Sequence, residues 1–172
     1  MPAINSLKKY VQGGIYHVYN RGNRKSEIFL AAQDYDIFCY LLERYLLPCP
    51  VSMRCKSYSN QIKVHAFCLM PNHFHLLLEQ IQERAISSFM HGLCLSYSMI
   101  FNKRYEKVGR LFQGVYKARL ITRESEISTV ASYIHINPSE VGATPEDYPY
   151  SSYGCYLGKD TCRFLTTELL QR

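Results

Sequence analysis

Stretches of apolar and alternating residues along the chain predict four β-strands. The first strand is predicted at residues 15–20 and the last at 111–121, while 61–70 and 73–79 form an antiparallel hairpin across a Pro-Asn turn. Both hairpin strands are apolar on both faces, so we expect them at the centre of the sheet. Residues 51–58 fit either an additional strand or a loop.

Apolar residues that recur at intervals of three and four positions predict three helices, at 34–47, 83–105 and 122–136. The order of these elements is typical of an α+β fold, the ferredoxin-like split β-α-β plan, with a four-stranded antiparallel sheet and two helices on one face. The added third helix is expected to cover the other face. All 172 residues are predicted to form one domain, with a core at about 14–138 and a C-terminal extension at about 139–172.

Composition limits the class of protein. The chain is 47% hydrophobic and contains neither an apolar run of 18 residues nor a signal-like start, so we expect a soluble cytoplasmic protein that does not bind a membrane. Its seven cysteines form no C-x-x-C pair. This pattern predicts reduced, mostly buried thiols rather than a disulfide framework or a structural zinc site.

The positive charge is concentrated in two stretches. Residues 1–25 contain five basic residues and no acid, and residues 101–123 contain seven basic residues and one acid. The formal net charge of the whole chain is +6, so the remainder is acidic. Charge segregated in this way favours a polyanion such as nucleic acid as partner, although a solvated basic face explains the charge alone equally well.

The candidate chemistry starts at two histidines on the second hairpin strand. His73 and His75 share one face of that strand, about 6–7 Å apart at roughly 3.3 Å per residue, and Phe74, Leu76 and Leu78 take the other face. Two neutral imidazoles on a rigid strand form half of a metal site. The alternative is that one histidine caps the strand and the other packs under a loop.

A tyrosine and an amide on the third helix are the second half of this candidate chemistry. Tyr133 and Asn137 are four residues apart and therefore share a face of the helix. If that face packs on the two histidines, the set becomes two imidazoles and a carboxamide as ligands, with a phenol beside them. The alternative is that Tyr133, one of 15 tyrosines, only packs at a helix end. His65 is expected to be structural.

Several segments of the chain resemble the HUH single-tyrosine transposases, and most of all their REP-associated tyrosine transposase branch. The similarity is carried first by M-P-N-H-F-H-L-L-L-E at 70–79 and by Y-I-H-I-N-P at 133–138. Further similar segments are Y-H-V-Y-N-R-G-N-R at 16–24, Y-S-M-I-F-N-K-R-Y at 97–105, G-R-L-F-Q-G-V-Y-K-A at 109–118 and D-Y-P-Y-S-S-Y at 147–153. These segments occur in the same order as in that branch and span most of the chain.

The resemblance implies roles for individual residues. His73 and His75 match the metal-binding pair of the family, with Mg²⁺ or Mn²⁺ as the expected ion, and Tyr133 matches its nucleophile. Asn137 stands where relatives have a glutamine that completes the metal site; asparagine is shorter but offers the same carbonyl donor. Glu140 stands where the family usually has an arginine, a change that would weaken a phosphate contact.

The resemblance also implies a reaction and a partner. The reaction is metal-assisted attack of Tyr133 on a phosphodiester of single-stranded hairpin DNA, which gives a 5′-phosphotyrosine intermediate and strand transfer. The partner is a hairpin from a repetitive palindrome or an element end, bound by a monomer, with a homodimer as the alternative, at the nucleoid of a prokaryotic cell. Charge and position assign the DNA contacts to Arg21, Arg24, Lys25, Lys103, Arg104, Arg110, Lys117 and Arg119, with Tyr105 or Tyr116 stacking on bases.

Two other functions remain open at this point. The chain would be a non-catalytic hairpin-binding protein if its histidines no longer bind a metal. It would be a metal-dependent nuclease if a bound water, rather than Tyr133, attacks the phosphodiester.

Overall fold

The computed structural model describes residues 10–50 and 56–171, which form one antiparallel sheet with helices on both faces. The four strands are Ile15–Arg21 (β1), Ile62–Met70 (β2), His73–Gln80 (β3) and Lys117–Ile121 (β4), in the spatial order β2-β3-β1-β4. The α-helices are Ala32–Leu46 (α1), Ala85–Arg104 (α2), Ser125–Ile136 (α3) and the short Tyr153–Tyr156 (α4), and 3₁₀ turns cover Asn23–Lys25, Asn137–Val141 and Pro145–Asp147. The predicted α+β, ferredoxin-like fold class is confirmed. Most of the ambiguous segment at 51–58 lies outside the described residues.

The two faces of β3 belong to two separate parts of the core. Phe74, Leu76 and Leu78 point towards α1 and α2 and are fully buried there. Leu77 points the other way, into a smaller cluster with α3 residues such as Ile134. Burial of each large apolar side chain stabilises the fold by about 1.5–3 kcal/mol, so both faces of this strand are fixed strongly.

The hairpin strand β2 lies at the edge of the sheet, and the prediction that it is central is wrong. Its apolar residues are covered instead by the C-terminal part of the chain, which bonds to its outer side. Backbone N–H groups of Ser152 and Thr166 donate to the carbonyls of Phe67 and Val64 at 2.9 and 2.8 Å. A covered edge has the same apolar pattern as a central strand, because both faces and the outer edge are shielded from water.

His65 takes part in the same covering of β2. It is buried, and its two ring nitrogens lie 2.9 Å from Glu79 Oε2 and 3.0 Å from the carbonyl oxygen of Thr166. Both nitrogens are therefore used within the fold. This structural role agrees with the expectation for His65.

The last strand is shorter than predicted. It begins at Lys117 rather than at residue 111, because Leu111 and Phe112 turn into the core and the chain then bends. The bend is held against the end of β1, where the side chain of Asn20 donates to the Gly114 carbonyl oxygen at 3.1 Å. This segment becomes a wall of two cavities described below.

No helix within the described parts of the chain is long and apolar enough to cross a membrane.

The cysteines differ in their covalent state. Five of the described cysteines are free thiols: Cys39, Cys68, Cys94, Cys155 and Cys162. Cys49, however, is disulfide-bonded, so the expectation of reduced thiols is wrong at this position.

His135 joins α3 to the C-terminal part of the chain. Its Nε2 lies 2.9 Å from Ser152 Oγ, and its ring stacks on that of Tyr153 with the centroids 5.0 Å apart. Burial of the imidazole lowers the pKa of His135 to about 4. The residue is therefore neutral in the folded protein at neutral pH.

This burial predicts a loss of stability in acid. Between pH 6.5 and about pH 4 the unfolded chain binds a proton at His135 that the folded chain does not, so the free energy of unfolding falls as the pH is lowered through this interval. The share of His135 is at most about 3 kcal/mol. We expect His135→Gln, whose amide can still bond to Ser152, to reduce the fall, measured by urea unfolding of the metal-free protein at several pH values. An equally steep fall in the variant would contradict this assignment.

Candidate active site

The candidate site begins where β3 leaves its turn and runs beside β1. In the strand register Tyr19 lies opposite His75 and Arg21 lies opposite His73. Because neighbouring strands present paired residues on the same face, these four side chains project together towards the end of α3. His75 is buried and His73 is partly exposed.

The hydrogen bonds of His73 fix which of its nitrogens faces the site. Its Nδ1 lies 2.6 Å from Asn72 Oδ1, an acceptor, so Nδ1 carries the proton and donates it. Nε2 then has a free lone pair, and it lies 3.4 Å from Asn137 Oδ1. The amide of Asn137 is oriented in turn by its Nδ2, which donates to the Tyr133 carbonyl oxygen at 2.8 Å. Two acceptors thus face each other with no proton between them.

His17 on β1 is a third histidine of the site, for which the sequence predicted no role. Its Nε2 lies 2.8 Å from Nδ1 of His75, and the two rings are stacked with centroids 5.0 Å apart. One of these nitrogens must donate to the other. If His75 is to offer its Nε2 to a cation, its Nδ1 must be the donor and His17 must accept. The neighbouring strands bring the two residues together, a contact that no local sequence pattern signals.

Burial keeps all three imidazoles neutral. It lowers the pKa of His75 to about 2, with smaller contributions in the same direction from His17 and His73. Burial, followed by the charge of Arg119, lowers the pKa of His17 to about 4. Burial also lowers the pKa of His73. A neutral imidazole is the form that binds a metal, so the site needs no proton loss at neutral pH to become a ligand set.

Tyr133 stands over the two buried imidazoles. Its ring centroid lies 5.5 Å from that of His75 and 6.0 Å from that of His17, with nearly perpendicular planes in both cases. The side chain is 46% exposed. It therefore lies next to the histidines while its ring stays accessible to a ligand.

Tyr133, His73 and His75 line a cavity of about 510 Å³. The charged residues around it are Arg21, Lys117 and Glu140. Arg21 donates to Gln113 Oε1 at 3.1 Å, and Lys117 Nζ lies 5.8 Å from the centroid of the Tyr19 ring. Two cations and one anion therefore surround the exposed phenol.

The residues of the site include a set that fits a divalent metal. Within the described ranges no three His, Cys, Asp or Glu side chains cluster in a way that would hold a metal, so a third protein ligand has to be of another type. The facing lone pairs of His73 and Asn137, with the neutral imidazole of His75 beside them, supply two nitrogen donors and one oxygen donor. Such mixed sets suit Mn²⁺ and tolerate Mg²⁺.

The nine predicted DNA contacts are spread over several parts of the surface. Arg21 and Lys117 line the site cavity, and Arg110 lines a second cavity next to it. Arg24 and Lys25 are exposed in the 3₁₀ turn after β1.

The other predicted contacts are engaged within the fold or lie farther along it. Lys103 is exposed at the end of α2, while Arg104 beside it lies 3.5 Å from Asp34. Arg119 pairs with Glu126 at 2.9 Å. Tyr116 is largely buried, its hydroxyl is hydrogen-bonded to that of Tyr10, and it lines the second cavity, so stacking of its ring on DNA bases stays a prediction.

Sequence comparison assigns the family. The family model described as the IS200-like transposases matches residues 49–137, just over half of the chain. This chain belongs to the IS200-like transposase family. It is thus a DNA-cutting transposase, as its resemblance to that class implied. No curated protein matches its sequence.

A solved structure shares the fold of the transposase. A REP-associated tyrosine transposase bound to a REP hairpin superposes with a TM-score of 0.63 at 16% sequence identity, over 95% of this chain and 91% of that one. A candidate transposase from Deinococcus radiodurans is similar at 17% sequence identity over 76% of this chain and 95% of its own, with a TM-score of 0.48.

Glu140 is the residue of the cavity whose charge opposes DNA binding. It is exposed and has no ion-pair partner among the described residues. We expect Glu140→Gln to raise the affinity for single-stranded DNA about threefold at low salt, since one repulsive charge near the phosphates is removed. Fluorescence anisotropy in increasing salt measures the gain, which should shrink as screening increases. An unchanged affinity at low salt would place the DNA backbone away from Glu140.

Proposed function

We propose that this transposase cleaves single-stranded DNA next to a hairpin, with Tyr133 as nucleophile and a divalent metal held by His73, His75 and Asn137. The observation that carries the proposal is that Tyr133 and both histidines line one cavity. Asn137 Oδ1 faces His73 at its side. A nucleophile beside a set of metal donors is what phosphodiester cleavage requires.

In the proposed step Tyr133 Oη attacks a phosphorus atom in line with the departing 3′ oxygen. The bond from phosphorus to the tyrosine oxygen forms as the bond to the 3′ oxygen breaks, while the phenol proton passes to solvent and the 3′ oxygen takes up a proton. The products are a 5′-phosphotyrosine and a free 3′-OH. Because one phosphate ester replaces another, the 3′-OH of a second DNA end can reverse the step and join strands without ATP.

The residues around the nucleophile have distinct tasks in this step. Arg21 and Lys117 would bind the phosphate oxygens, since both line the cavity. Asn72 and His17 hold the two ligand imidazoles in place. When bound, the metal supplies positive charge to the non-bridging oxygens as negative charge develops there. Mn²⁺ is the better match to two imidazoles, with Mg²⁺ as the alternative.

Two features support the proposed partner and assembly. Tyr133 lies beside the histidines of its own chain, so a monomer contains all the groups that the step needs. The solved relative with the same fold is bound to a REP hairpin, which supports a DNA hairpin with a single-stranded flank as substrate. We place this activity at the nucleoid of a prokaryotic cell.

A covalent-adduct assay tests the proposal. End-labelled hairpins with single-stranded flanks, made from the palindromic repeats of the host genome, are incubated with the protein and Mn²⁺ and run on a denaturing protein gel. We expect a labelled band at the mass of protein plus DNA. Tyr133→Phe should abolish it because the nucleophilic oxygen is gone, and His73→Ala should reduce it by about 100-fold or more because a ligand is lost.

The controls separate the three functions that the sequence left open. Hairpin binding without any adduct would replace the proposal with a non-catalytic binding protein. Cleaved DNA that persists in Tyr133→Phe would show that water is the nucleophile. Tyr19→Phe, which alters a phenol on the same face of the sheet, serves as the matched control and should keep the adduct.

The contact between His17 and His75 predicts an effect on metal binding. His17→Phe keeps a buried ring but removes the acceptor for His75 Nδ1, so we expect Mn²⁺ affinity to fall about tenfold or more. His17→Gln should recover part of the loss, because its carbonyl oxygen can accept the same hydrogen bond. Electron paramagnetic resonance of free Mn²⁺ measures the affinity without DNA. Equal affinities for the wild type and His17→Phe would exclude this positioning role.

A further inference from the structure

A second and larger cavity adjoins the site. It has a volume of about 1030 Å³, against about 510 Å³ for the cavity of Tyr133. One wall is a single face of α2 together with Arg84, which precedes it, and the other wall is the bent segment 109–116. Along α2 the wall extends from residue 84 to residue 98, about 20 Å at 1.5 Å per residue. We call this cavity the α2 groove.

The α2 groove is adjacent to the candidate active site. Asn20, Gly114 and Val115 line both cavities. Gly114 is held by the hydrogen bond from Asn20, and the space where its Cβ would stand has no neighbouring atom within 4 Å. The segment at Gly114 and Val115 therefore lies between the groove and the cavity that contains Tyr133.

The charge of the α2 groove suits a polyanion. Arg84 and Arg110 are exposed along it, and none of the described residues that line it is acidic. Glu83 lies 3.9 Å from Arg84 outside the lining, but both side chains are at least 78% exposed, so this pair contributes little. On the same segment that carries Arg110, Lys117 continues the positive charge into the active-site cavity.

The α2 groove also exposes apolar surface where bases could lie. Leu95 is 51% exposed and Val115 is 79% exposed, on opposite walls. A strand that enters the groove could place its phosphates by the arginines and its bases between these side chains. Unpaired bases present apolar faces of this kind, whereas bases in a duplex are hidden by stacking.

We propose that the α2 groove binds the single-stranded DNA that adjoins the scissile phosphate and leads it into the cavity of Tyr133. The proposal rests on the proposed function for the position of the scissile phosphate. Its occupant is a single strand rather than the duplex stem of the hairpin, because the groove offers apolar side chains to unstacked bases and adjoins the reacting tyrosine directly.

Binding measurements in the Tyr133→Phe background test the groove without cleavage. The probes are oligothymidine, a DNA hairpin with single-stranded flanks and the same hairpin without flanks. Leu95→Glu places a carboxylate in the groove and should weaken binding of the first two probes about tenfold, while the flankless hairpin binds as before. Ser87→Glu, at a second exposed position of the same wall, should do the same. Arg110→Ala should reduce the salt dependence of oligothymidine binding.

Tyr40→Glu is the matched control. Tyr40 is a 63% exposed residue of α1 that lines neither cavity, so a carboxylate there should change no affinity. Equal loss for hairpins with and without flanks would place the duplex stem in the groove and overturn the proposal. Unchanged oligothymidine binding by both Leu95→Glu and Ser87→Glu, with normal circular dichroism, would also overturn it.

The adduct assay fails or succeeds independently of these measurements. If no covalent adduct forms but Leu95→Glu selectively weakens binding of single strands, the proposed function is wrong and the groove still binds DNA. If the adduct forms and the groove variants bind all three probes normally, the proposed function stands and the groove assignment is wrong.

Discussion

The central position of β3 is the constraint on which the site depends. The strand is paired on both sides, with β1 and β2, and each of its faces is covered by helices. Its side chains alternate, so Phe74, Leu76 and Leu78 are committed to the larger core and the histidines must take the opposite face. A one-residue slip would exchange the two sets and bury imidazoles among apolar side chains, so the core fixes the site against such movement.

Hydrogen bonds orient the side chains of the candidate site on this fixed backbone. His73 is oriented by its neighbour Asn72, and His75 is oriented by His17 on the adjacent strand. The amide of Asn137 is oriented by the carbonyl group of Tyr133, one helical turn before it. Each candidate ligand is thereby oriented by a partner in a strand, in a helix or in the turn that precedes β3. Such support limits the reorganisation needed when a cation binds.

Much of the fold could be predicted because periodicity is local, whereas the errors concern contacts between distant segments. The helices and the hairpin follow from spacings within about 20 residues. The edge position of β2 could not be predicted in this way, because the residues that bond to its outer side, Ser152 and Thr166, lie much later in the sequence. The contact of His17 with His75 was missed for the same reason, because it depends on strand register. The pair His73 and His75 could be found from spacing alone.

The amide at position 137 connects the proposed nucleophile to the proposed metal donors, since it contacts both Tyr133 and His73. Asn137 begins the 3₁₀ turn directly after α3, is 1% exposed, and lies in a turn that packs on β2. Its Oδ1 comes within 3.4 Å of His73 Nε2 while its Nδ2 still bonds to the Tyr133 carbonyl oxygen. A longer side chain could face His73 from a more distant backbone. Tyr133 and Asn137 are one helical turn apart, so a shift of the end of α3 would move the phenol and the carboxamide together. The distance between these two groups is therefore set by one turn of helix.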